Sequence, residues 1–370
     1  MICTKKNLIF RDSFQVQLLS DCIKISNAKK MMQYTLLLLE NSFIDWKISK
    51  NQKKMEGFSI LVNGKWEYFE MEKTHLEFFK QFLDAKISYQ NIHNLYKMIS
   101  FCGRGTNGHV FKYQNRISGE YVACKSLKIG WKNTQQIFLR EVKKLQILKH
   151  PSIVKIKEFY VETKHCYIVM EFLEGKSLRE LQGQKRLNEE EIILILKQIL
   201  HCIHYIHKEG YVYRDIKQDN VLFAEQGNLK SMRLIDFGLA ITLNDLKAQG
   251  NRICGTPGYL APEVLKQDKN LDYKIDMFSL GVMLWEMIHN KRFFEGCDLS
   301  IQERMNREYI FSEEFTKNIE NEILRHLVEK MIHHNPDERI TAMEALNYLD
   351  CSLMNRCENV KEIDNNISTD

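Results

Sequence analysis

Two short segments in the middle of the chain carry residue types that can move a phosphoryl group. The segment 213–220 contains Asp215, which can accept a proton from an attacking hydroxyl, and Lys217, which adds positive charge beside the transferred group. Asn220 and Asp236 offer hard oxygen ligands that suit Mg²⁺ bridging nucleotide phosphates. Either segment alone is compatible with an ordinary loop and a helix cap. Their joint order and spacing favour a phosphoryl-transfer site.

Earlier in the chain lie residues that could hold the phosphates. A glycine pattern over 103–110 would let a nucleotide approach bare backbone between two strands. Lys125 ends the alternating stretch 121–124, and a helix predicted over 134–148 carries Glu141, which can face Lys125 and hold its ammonium against the phosphates. A glycine pattern alone fits a plain hairpin turn, and a lysine that ends a strand is usually solvated. Together they favour nucleotide binding.

From about residue 95 to residue 351 these motifs resemble the eukaryotic protein kinases. The resemblance implies ATP and Mg²⁺ as cofactors, with Asp215, Lys217, Lys125 and Glu141 as the catalytic residues and Asn220 and Asp236 as the metal ligands. The residues it implies for nucleotide binding are Gly103, Arg104, Gly105, Thr106, Asn107, Gly108, Val110, Ala123, Lys125, Met170, Glu171, Leu173, Leu222 and Asp236.

The resemblance also implies structural contacts around this site. Residues 255–263 look like the end of an activation segment and 276–281 like the core helix that follows it. Glu263 and Arg339 would form a buried ion pair, which is costly to break because it leaves a desolvated charge. A hydrophobic column between the two lobes would contain Leu145, Ile156, Tyr213 and Phe237.

The acceptor implied by the resemblance is serine or threonine, because Lys217 and Thr256 match that branch of the family. We therefore predict a protein serine/threonine kinase in intracellular signalling, its group open between AGC-like and calmodulin-dependent-kinase-like. A small-molecule kinase of the same fold is a second interpretation, but such enzymes lack a segment like 255–263. A nucleotide-binding scaffold that signals without catalysis is a third. The chain departs from the family pattern at Tyr213, Gln218 and Phe278, where histidine, proline and tryptophan are usual.

The activation segment lacks the usual phosphate acceptor. In many relatives a phosphothreonine pairs with the arginine before the catalytic aspartate, here Arg214. This chain has Arg252 at the acceptor position, and Thr242, Thr256 and Tyr259 are the hydroxyl side chains between Asp236 and Glu263. We expect activity without loop phosphorylation, with control by the amino-terminal region or a partner.

Composition limits the class of protein. With 44% hydrophobic and 27% charged residues, 370 residues can bury the core of two domains. Ten cysteines without CxxC spacing favour a reduced, cytoplasmic setting, and no signal peptide or membrane span is predicted. His201, Cys202, His204 and His207 could suggest zinc, but their helix, predicted over 189–208, more simply packs in the lower lobe. We expect protein substrates and no nucleic acid.

The first 90 residues predict a small β-rich domain. Apolar stretches at 14–25 and 31–39 and an alternating stretch at 58–69 with an Asn63-Gly64 turn precede a helix over Lys73 to Leu83. With Leu76, Phe79 and Leu83 on its buried side, this order resembles a pleckstrin-homology-like barrel capped by its helix. The alternative is an extension docked on the kinase.

Five lysines in this region lie near predicted loops: Lys29, Lys30, Lys50, Lys53 and Lys54. They could contact anionic lipids and make the protein peripheral to a membrane, although protein contact or autoinhibition is favoured. The acidic tail, residues 352–370, is predicted to be disordered. The predicted fold class is α+β: a β-rich domain over 1–90, then a two-lobed kinase fold over 95–351 with an antiparallel sheet and one helix in the first lobe and a mainly helical second lobe.

Overall fold

Strands dominate the first 172 residues and helices dominate the rest. The computed structural model describes residues 1–6, 11–27, 29–37, 42–49, 51, 54–105, 108–130, 134–249, 253–294, 300, 304 and 314–367. The chain forms two compact units, the first made of Met1–Lys149 with Val154–Phe172 and the second of His150–Ile153 with Leu173–Asp370. The mixture of a strand-rich and a helix-rich unit confirms the α+β class.

The first unit contains thirteen strands and three helices among its described residues. The strands are β1 Ile2–Lys6, β2 Arg11–Leu18, β3 Cys22–Asn27, β4 Met32–Leu37, β5 Phe43–Ile48, β6 Met55–Val62, β7 Lys65–Met71, β8 Ser88–Tyr89, β9 Tyr96–Gly105, β10 Gly108–Asn115, β11 Tyr121–Lys128, β12 Ile156–Val161 and β13 His165–Glu171. The helices are α1 Lys73–Leu83, α2 Ile92–Leu95 and α3 Thr134–Ile147.

All thirteen strands belong to one sheet, in the order β4-β3-β2-β1-β7-β6-β5-β8-β12-β13-β11-β10-β9. The two-residue strand β8 joins its two halves, because it pairs in parallel with both β5 and β12. Residues 1–90 therefore share a sheet and a compact unit with the strands that follow them, while the domain boundary near residue 90 stays a prediction. A strand of two residues is too short to show an alternation of apolar and polar side chains, so this connection could not be predicted from the sequence.

Some elements predicted for the amino-terminal part of this sheet are present, although the predicted stretch 14–25 is divided between the two strands β2 and β3. Asn63 and Gly64 have φ of 49° and 77° and form the tight turn between β6 and β7. Helix α1 spans Lys73–Leu83 and buries Leu76, Phe79 and Leu83, as its pattern predicts. No prediction from the sequence covers strands β1 and β5. Membership of the pleckstrin homology family remains a prediction.

Two of the lysines proposed for lipid contact lie outside the described residues, Lys50 and Lys53. A third, Lys30, has defined surroundings. Its ammonium lies 2.5 Å from an Asp12 carboxylate oxygen, so its charge is partly neutralised. Lipid binding by this region stays a proposal.

The second unit is mainly helical. Its helices are α4 Leu178–Gln182, α5 Glu189–Lys208, α6 Leu243–Gln249, α7 Pro262–Leu265, α8 Lys274–His289, α9 Glu314–Lys317, α10 Glu322–Met331 and α11 Ala342–Ile367, and its strands are β14 Tyr211–Val212, β15 Val221–Phe223, β16 Met232–Leu234 and β17 Ile241–Thr242. Described 3₁₀ turns span Gln218–Asn220, Leu229–Ser231 and Pro336–Glu338. The short strands pair as β14 with β17 and β15 with β16.

Local sequence explains the long helix α5, whose bounds match the prediction. Asn188 and Glu191 form a reciprocal capping box at its start, and acidic residues fill its first turn. His207 and Lys208 lie in its last turn, where positive charge complements the helix dipole. Among the described residues, no helix combines the length and the apolar character needed to cross a membrane.

The carboxyl-terminal tail differs from its prediction. Helix α11 continues through residues 352–367, which the composition had indicated as disordered. No glycine or proline occurs from Ala342 onward, so no residue in this stretch terminates the helix. Residues 368–370 lie outside the described residues.

Candidate active site

Asp215 is the centre of a compact hydrogen-bonded cluster in the second unit. As a residue it is 3% exposed. The Lys217 ammonium lies 2.9 Å from Asp215 Oδ2 and donates to Thr256 Oγ1 at 2.8 Å, and Thr256 in turn donates to Asp215 Oδ1 at 2.5 Å. A nearly buried carboxylate held by a cation and a hydroxyl is oriented to accept a hydrogen bond, and then a proton, from a further donor.

The backbone before Asp215 is fixed by a second buried aspartate, which sequence reasoning did not assign. Asp276, fully buried near the start of α8, accepts hydrogen bonds from the backbone N–H groups of Tyr213 and Arg214, both at 2.8 Å. His207 Nε2 lies 2.9 Å from the same carboxylate. Arg214 has φ 69°, a region rarely adopted by non-glycine residues, and these bonds help to hold it there.

Asn220 and Asp236 have geometry that suits a metal site. Asn220 Nδ2 donates to Asp215 O and Asp215 Oδ2, both at 2.8 Å, which leaves its amide oxygen as the atom for a cation. Asp236 adopts φ 56°, and its carboxylate accepts from the backbone N–H of Gly238 at 3.2 Å. An amide and a carboxylate oxygen are ligands that Mg²⁺ accepts. The donor chemistry of the two residues therefore fits magnesium.

The glycine loop lies between β9 and β10 of the first unit. Gly105 pairs with Gly108, and Gly103 with Val110. A side chain at Gly108 would come within 2.3 Å of the Ser126 carbonyl oxygen, so this position requires glycine. A Cβ at Gly103 would meet nothing within 4 Å, which leaves open space beside the backbone. Thr106 and Asn107, also predicted for nucleotide binding, lie outside the described residues, and Arg104 pairs with His109.

The predicted pair of Lys125 and Glu141 is present in the first unit. Lys125 Nζ lies 2.5 Å from Glu141 Oε1, and both side chains are 3% exposed. Lys125 is on β11, where Ala123 pairs with Met170 of β13. Glu171 ends β13, and its backbone N–H donates to Lys155 O at 3.0 Å. Leu173 and Leu222, the other predicted nucleotide contacts, belong to the second unit.

The four residues predicted for the hydrophobic column are all buried. Leu145 and Ile156 belong to the core of the first unit. Tyr213 and Phe237 contact each other in the second unit, with ring centroids 5.2 Å apart. The Tyr213 hydroxyl donates to the Ile235 carbonyl oxygen, and burial together with Asp215 raises the pKa of Tyr213 well above its usual range. An aromatic residue with a satisfied hydroxyl thus occupies the position where histidine is usual.

The other two hydroxyl side chains of the activation segment, besides that of Thr256, are engaged. Tyr259 is 4% exposed, and its hydroxyl donates to Glu286 Oε2 at 2.6 Å and accepts from Arg179 Nη2 at 2.7 Å. Burial and the Glu286 carboxylate raise the pKa of Tyr259 well above its ordinary value. Thr242 Oγ1 lies 2.7 Å from Asp245 Oδ2. Arg252 lies outside the described residues.

The buried ion pair predicted in the second unit is present and bidentate. Arg339 Nη1 lies 2.7 Å from Glu263 Oε1, and Nη2 lies 3.2 Å from Glu263 Oε2. Arg339 is 1% exposed and its guanidinium stands 5.2 Å from the ring centroid of Phe278. Phe278 therefore keeps a cation–aromatic contact where tryptophan is usual.

Gln218, which departs from the family pattern, lies in the loop between Lys217 and Asn220. It is fully buried, and neither polar atom of its side chain has a hydrogen-bond partner among the described residues. A buried polar group without a partner costs about 1–3 kcal/mol. Lys217 has φ −162° and ψ 161°, an extended conformation that a following proline accepts.

We expect Gln218→Pro to increase the free energy of unfolding by about 1–2 kcal/mol, because it removes the unpaired amide and restricts the unfolded chain. Thermal unfolding followed by circular dichroism measures the change. Gln218→Met, which removes the amide but keeps the backbone donor, is the matched variant and should give the smaller gain. A lower midpoint for both variants would show that the amide is satisfied.

A nucleotide-dependent phosphotransferase needs two features. One is backbone open to phosphates beside a buried lysine–glutamate pair, and the other is a separate carboxylate that can take a proton. The family description "Protein kinase domain" matches residues 96–349, more than half of the chain. The chain therefore belongs to the protein kinase family.

Curated relatives agree with this assignment. Sperm motility kinase 2B of Mus musculus is 31% identical over 260 residues, covering 70% of this chain and 52% of that protein. Serine/threonine-protein kinase pakA of Dictyostelium discoideum is 33% identical over 208 residues, 55% of this chain and 17% of that protein. Serine/threonine-protein kinase ste20 of Aspergillus oryzae is 29% identical over 260 residues, 69% of this chain and 30% of that protein. The chain spans about half or less of the length of these relatives.

Proposed function

We propose that the chain is a protein serine/threonine kinase that transfers the γ-phosphate of ATP to protein hydroxyls. The observation that carries this proposal is the cluster of Asp215, Lys217 and Thr256. Asp215 would accept the proton of the acceptor hydroxyl, and Lys217 would balance charge on the transferred group. Family membership implies ATP and Mg²⁺ in general, and the relatives carry serine/threonine kinase in their names.

Specific residues would hold the cofactors. Lys125, fixed by Glu141, and the backbone of the glycine loop would bind phosphate oxygens, while Asn220 and Asp236 would hold Mg²⁺. Bound Mg²⁺ would neutralise charge on the phosphates. Thr256, already bonded to Asp215 and Lys217, would keep the base oriented until the substrate hydroxyl arrives.

The setting of this activity is also a proposal. Each described cysteine is a free thiol, which supports a reducing, cytoplasmic environment. Contact of residues 1–90 with their own kinase lobe supports the docked interpretation of that region, and lipid contact at a membrane surface is a separate question for vesicle binding.

The test is label transfer from γ-labelled ATP to a generic basic protein with and without Mg²⁺, followed by phosphoamino acid analysis. We expect Mg²⁺-dependent phosphoserine and phosphothreonine. An aliquot treated with phosphatase, with the phosphatase removed, should keep its activity, since Tyr259 and Thr242 are engaged in other bonds. Nucleotide binding without transfer would instead support the scaffold interpretation, and phosphotyrosine as the main product would contradict the proposed acceptor.

A further inference from the structure

Helix α3 carries Glu141, and the position of this helix decides whether Glu141 reaches Lys125. Its Glu141 pairs with Lys125 through Oε1, but Glu141 Oε2 has no hydrogen-bond partner among the described residues. A buried ion pair of this kind repays its desolvation cost only when the remaining lone pairs are satisfied. Ile137, Leu139 and Ile147 on the same helix are about 40% exposed, whereas Phe138, Val142 and Leu145 form its buried face. A further contact near the end of the helix bears on its position.

That contact comes from the amino-terminal region. Gln146 Nε2, near the end of α3, donates to the carbonyl oxygen of Ala85, in the connection between α1 and β8. Gln146 is the fifth residue after Glu141, a displacement of about 7.5 Å along the helix axis and about 140° around it. Ala85 has φ 59°, an uncommon conformation for alanine that the surrounding structure must maintain. The helix is therefore held on one side by Lys125 and on another by Ala85.

The same region neutralises a buried carboxylate of the kinase lobe. Glu158, on β12, is 3% exposed and accepts from the hydroxyls of Tyr96 at 2.8 Å and Tyr160 at 2.6 Å. Its cationic partner is Lys80 of α1, which also lies 2.8 Å from Asp84. Glu158 is within the segment that matches the kinase family, whereas Lys80 precedes it. The cation that pairs with this buried carboxylate therefore comes from outside the family segment.

Paired strands of the sheet connect the amino-terminal region to Lys125. Ser88 of β8 pairs with Phe159, Phe159 pairs with Ile168, and Ile168 pairs with Lys125. Two further bonds reinforce the junction: Gln90 Nε2 donates to Val161 O at 2.5 Å, and the Ile92 N–H donates to Glu162 Oε1 at 2.9 Å. Both members of the Lys125–Glu141 pair are thus connected to residues 80–92, one through the sheet and one through α3.

We propose that residues 1–92 are a built-in positioning element of the kinase lobe, and that Gln146 is a positioning residue which acts through Glu141. The proposal deepens the proposed kinase function and rests on it. In this arrangement the amino-terminal region supports activity in the same chain, because its contacts hold α3 where Glu141 reaches Lys125.

The test uses the full chain with two substitutions at one position. Gln146→Met keeps the length of the side chain but removes the donor, whereas Gln146→Lys restores a donor to the Ala85 carbonyl. Lys143→Met, at an exposed site on the same helix, is the control. We expect Gln146→Met to lower kcat about 5- to 10-fold with little change in the KM for the protein substrate, and Gln146→Lys and Lys143→Met to stay near wild type.

A double-mutant cycle separates positioning from general stability. If Gln146 acts through Glu141, Gln146→Met should have little further effect on kcat in a Glu141→Ala chain. An undiminished loss in that background, or a wild-type kcat for Gln146→Met, would overturn the proposal.

Hydrogen exchange provides a readout that does not need activity. In the full chain, Gln146→Met should speed amide exchange in α3 while α5 exchanges as in wild type. If the wild-type chain transfers no phosphate, the proposed function fails, and exchange alone then decides the positioning role. Unchanged exchange in α3 would overturn it, and so would an equal increase in both helices.

Discussion

Replacing Asp215 by asparagine will lower phosphate transfer by about 10²–10⁴-fold, the range that a positioned general base contributes. Asparagine has nearly the same shape and can still accept from Lys217, but it cannot take the proton of the substrate hydroxyl. The loss should fall on kcat, because the residues that would bind the nucleotide are unchanged. Steady-state kinetics with labelled ATP, together with calorimetric binding of an ATP analogue, measures both quantities.

The control for this variant is Asp268→Asn, which changes an exposed aspartate of the same unit. It should retain wild-type kinetics. Transfer by Asp215→Asn within a few-fold of wild type would remove Asp215 from the role of base, and a matching loss of analogue binding would point to a misfolded site.

Arg339→Met will destabilise the second unit by about 3–5 kcal/mol, because it leaves the buried Glu263 carboxylate without its cation. The Phe278 ring also loses the guanidinium stacked near it. Differential scanning calorimetry should show the loss as a lower unfolding temperature for the transition of that unit.

The double variant Arg339→Met with Glu263→Leu tests the physical cause. Removing both charges should recover most of the lost stability, since an apolar pair of similar volume often replaces a buried ion pair at little cost. If the double variant is as unstable as Arg339→Met, lost packing and backbone bonds, such as that from Arg339 Nη1 to Lys274 O, cause the effect instead of the stranded charge.

Features encoded by short, fixed spacings could be predicted from the sequence. The hydrogen-bonded segment around Asp215, the bounds of α5 and the buried face of α1 all depend on residues within a few turns of one another. Lys125 and Glu141 are separated by only a strand, a loop and part of a helix. Asn63-Gly64 specifies its turn because both residues tolerate positive φ.

Contacts between distant segments could not be predicted in the same way. Lys80 and Glu158 are 78 residues apart, and neither stands out in a lysine- and glutamate-rich sequence. The sequence assigns Asp276 to a core helix but gives no sign of its role. That role is to accept hydrogen bonds from the backbone N–H groups of residues 213 and 214, and backbone groups leave no pattern of side chains in the sequence. Polar composition predicts a disordered tail, whereas α11 extends through Ile367 in a stretch without glycine or proline.

The order of strands also has a consequence for synthesis of the chain on the ribosome. Strand β5 is complete at Ile48, but one of its two edges has no partner until β8 is made. The outer edge of β8 in turn has no partner until β12, which ends at Val161. At 5–20 residues per second, that interval lasts on the order of ten seconds. During it, an open edge is a template for pairing with a neighbouring nascent chain. The sheet of the amino-terminal region therefore keeps an open edge until β12 has been synthesised.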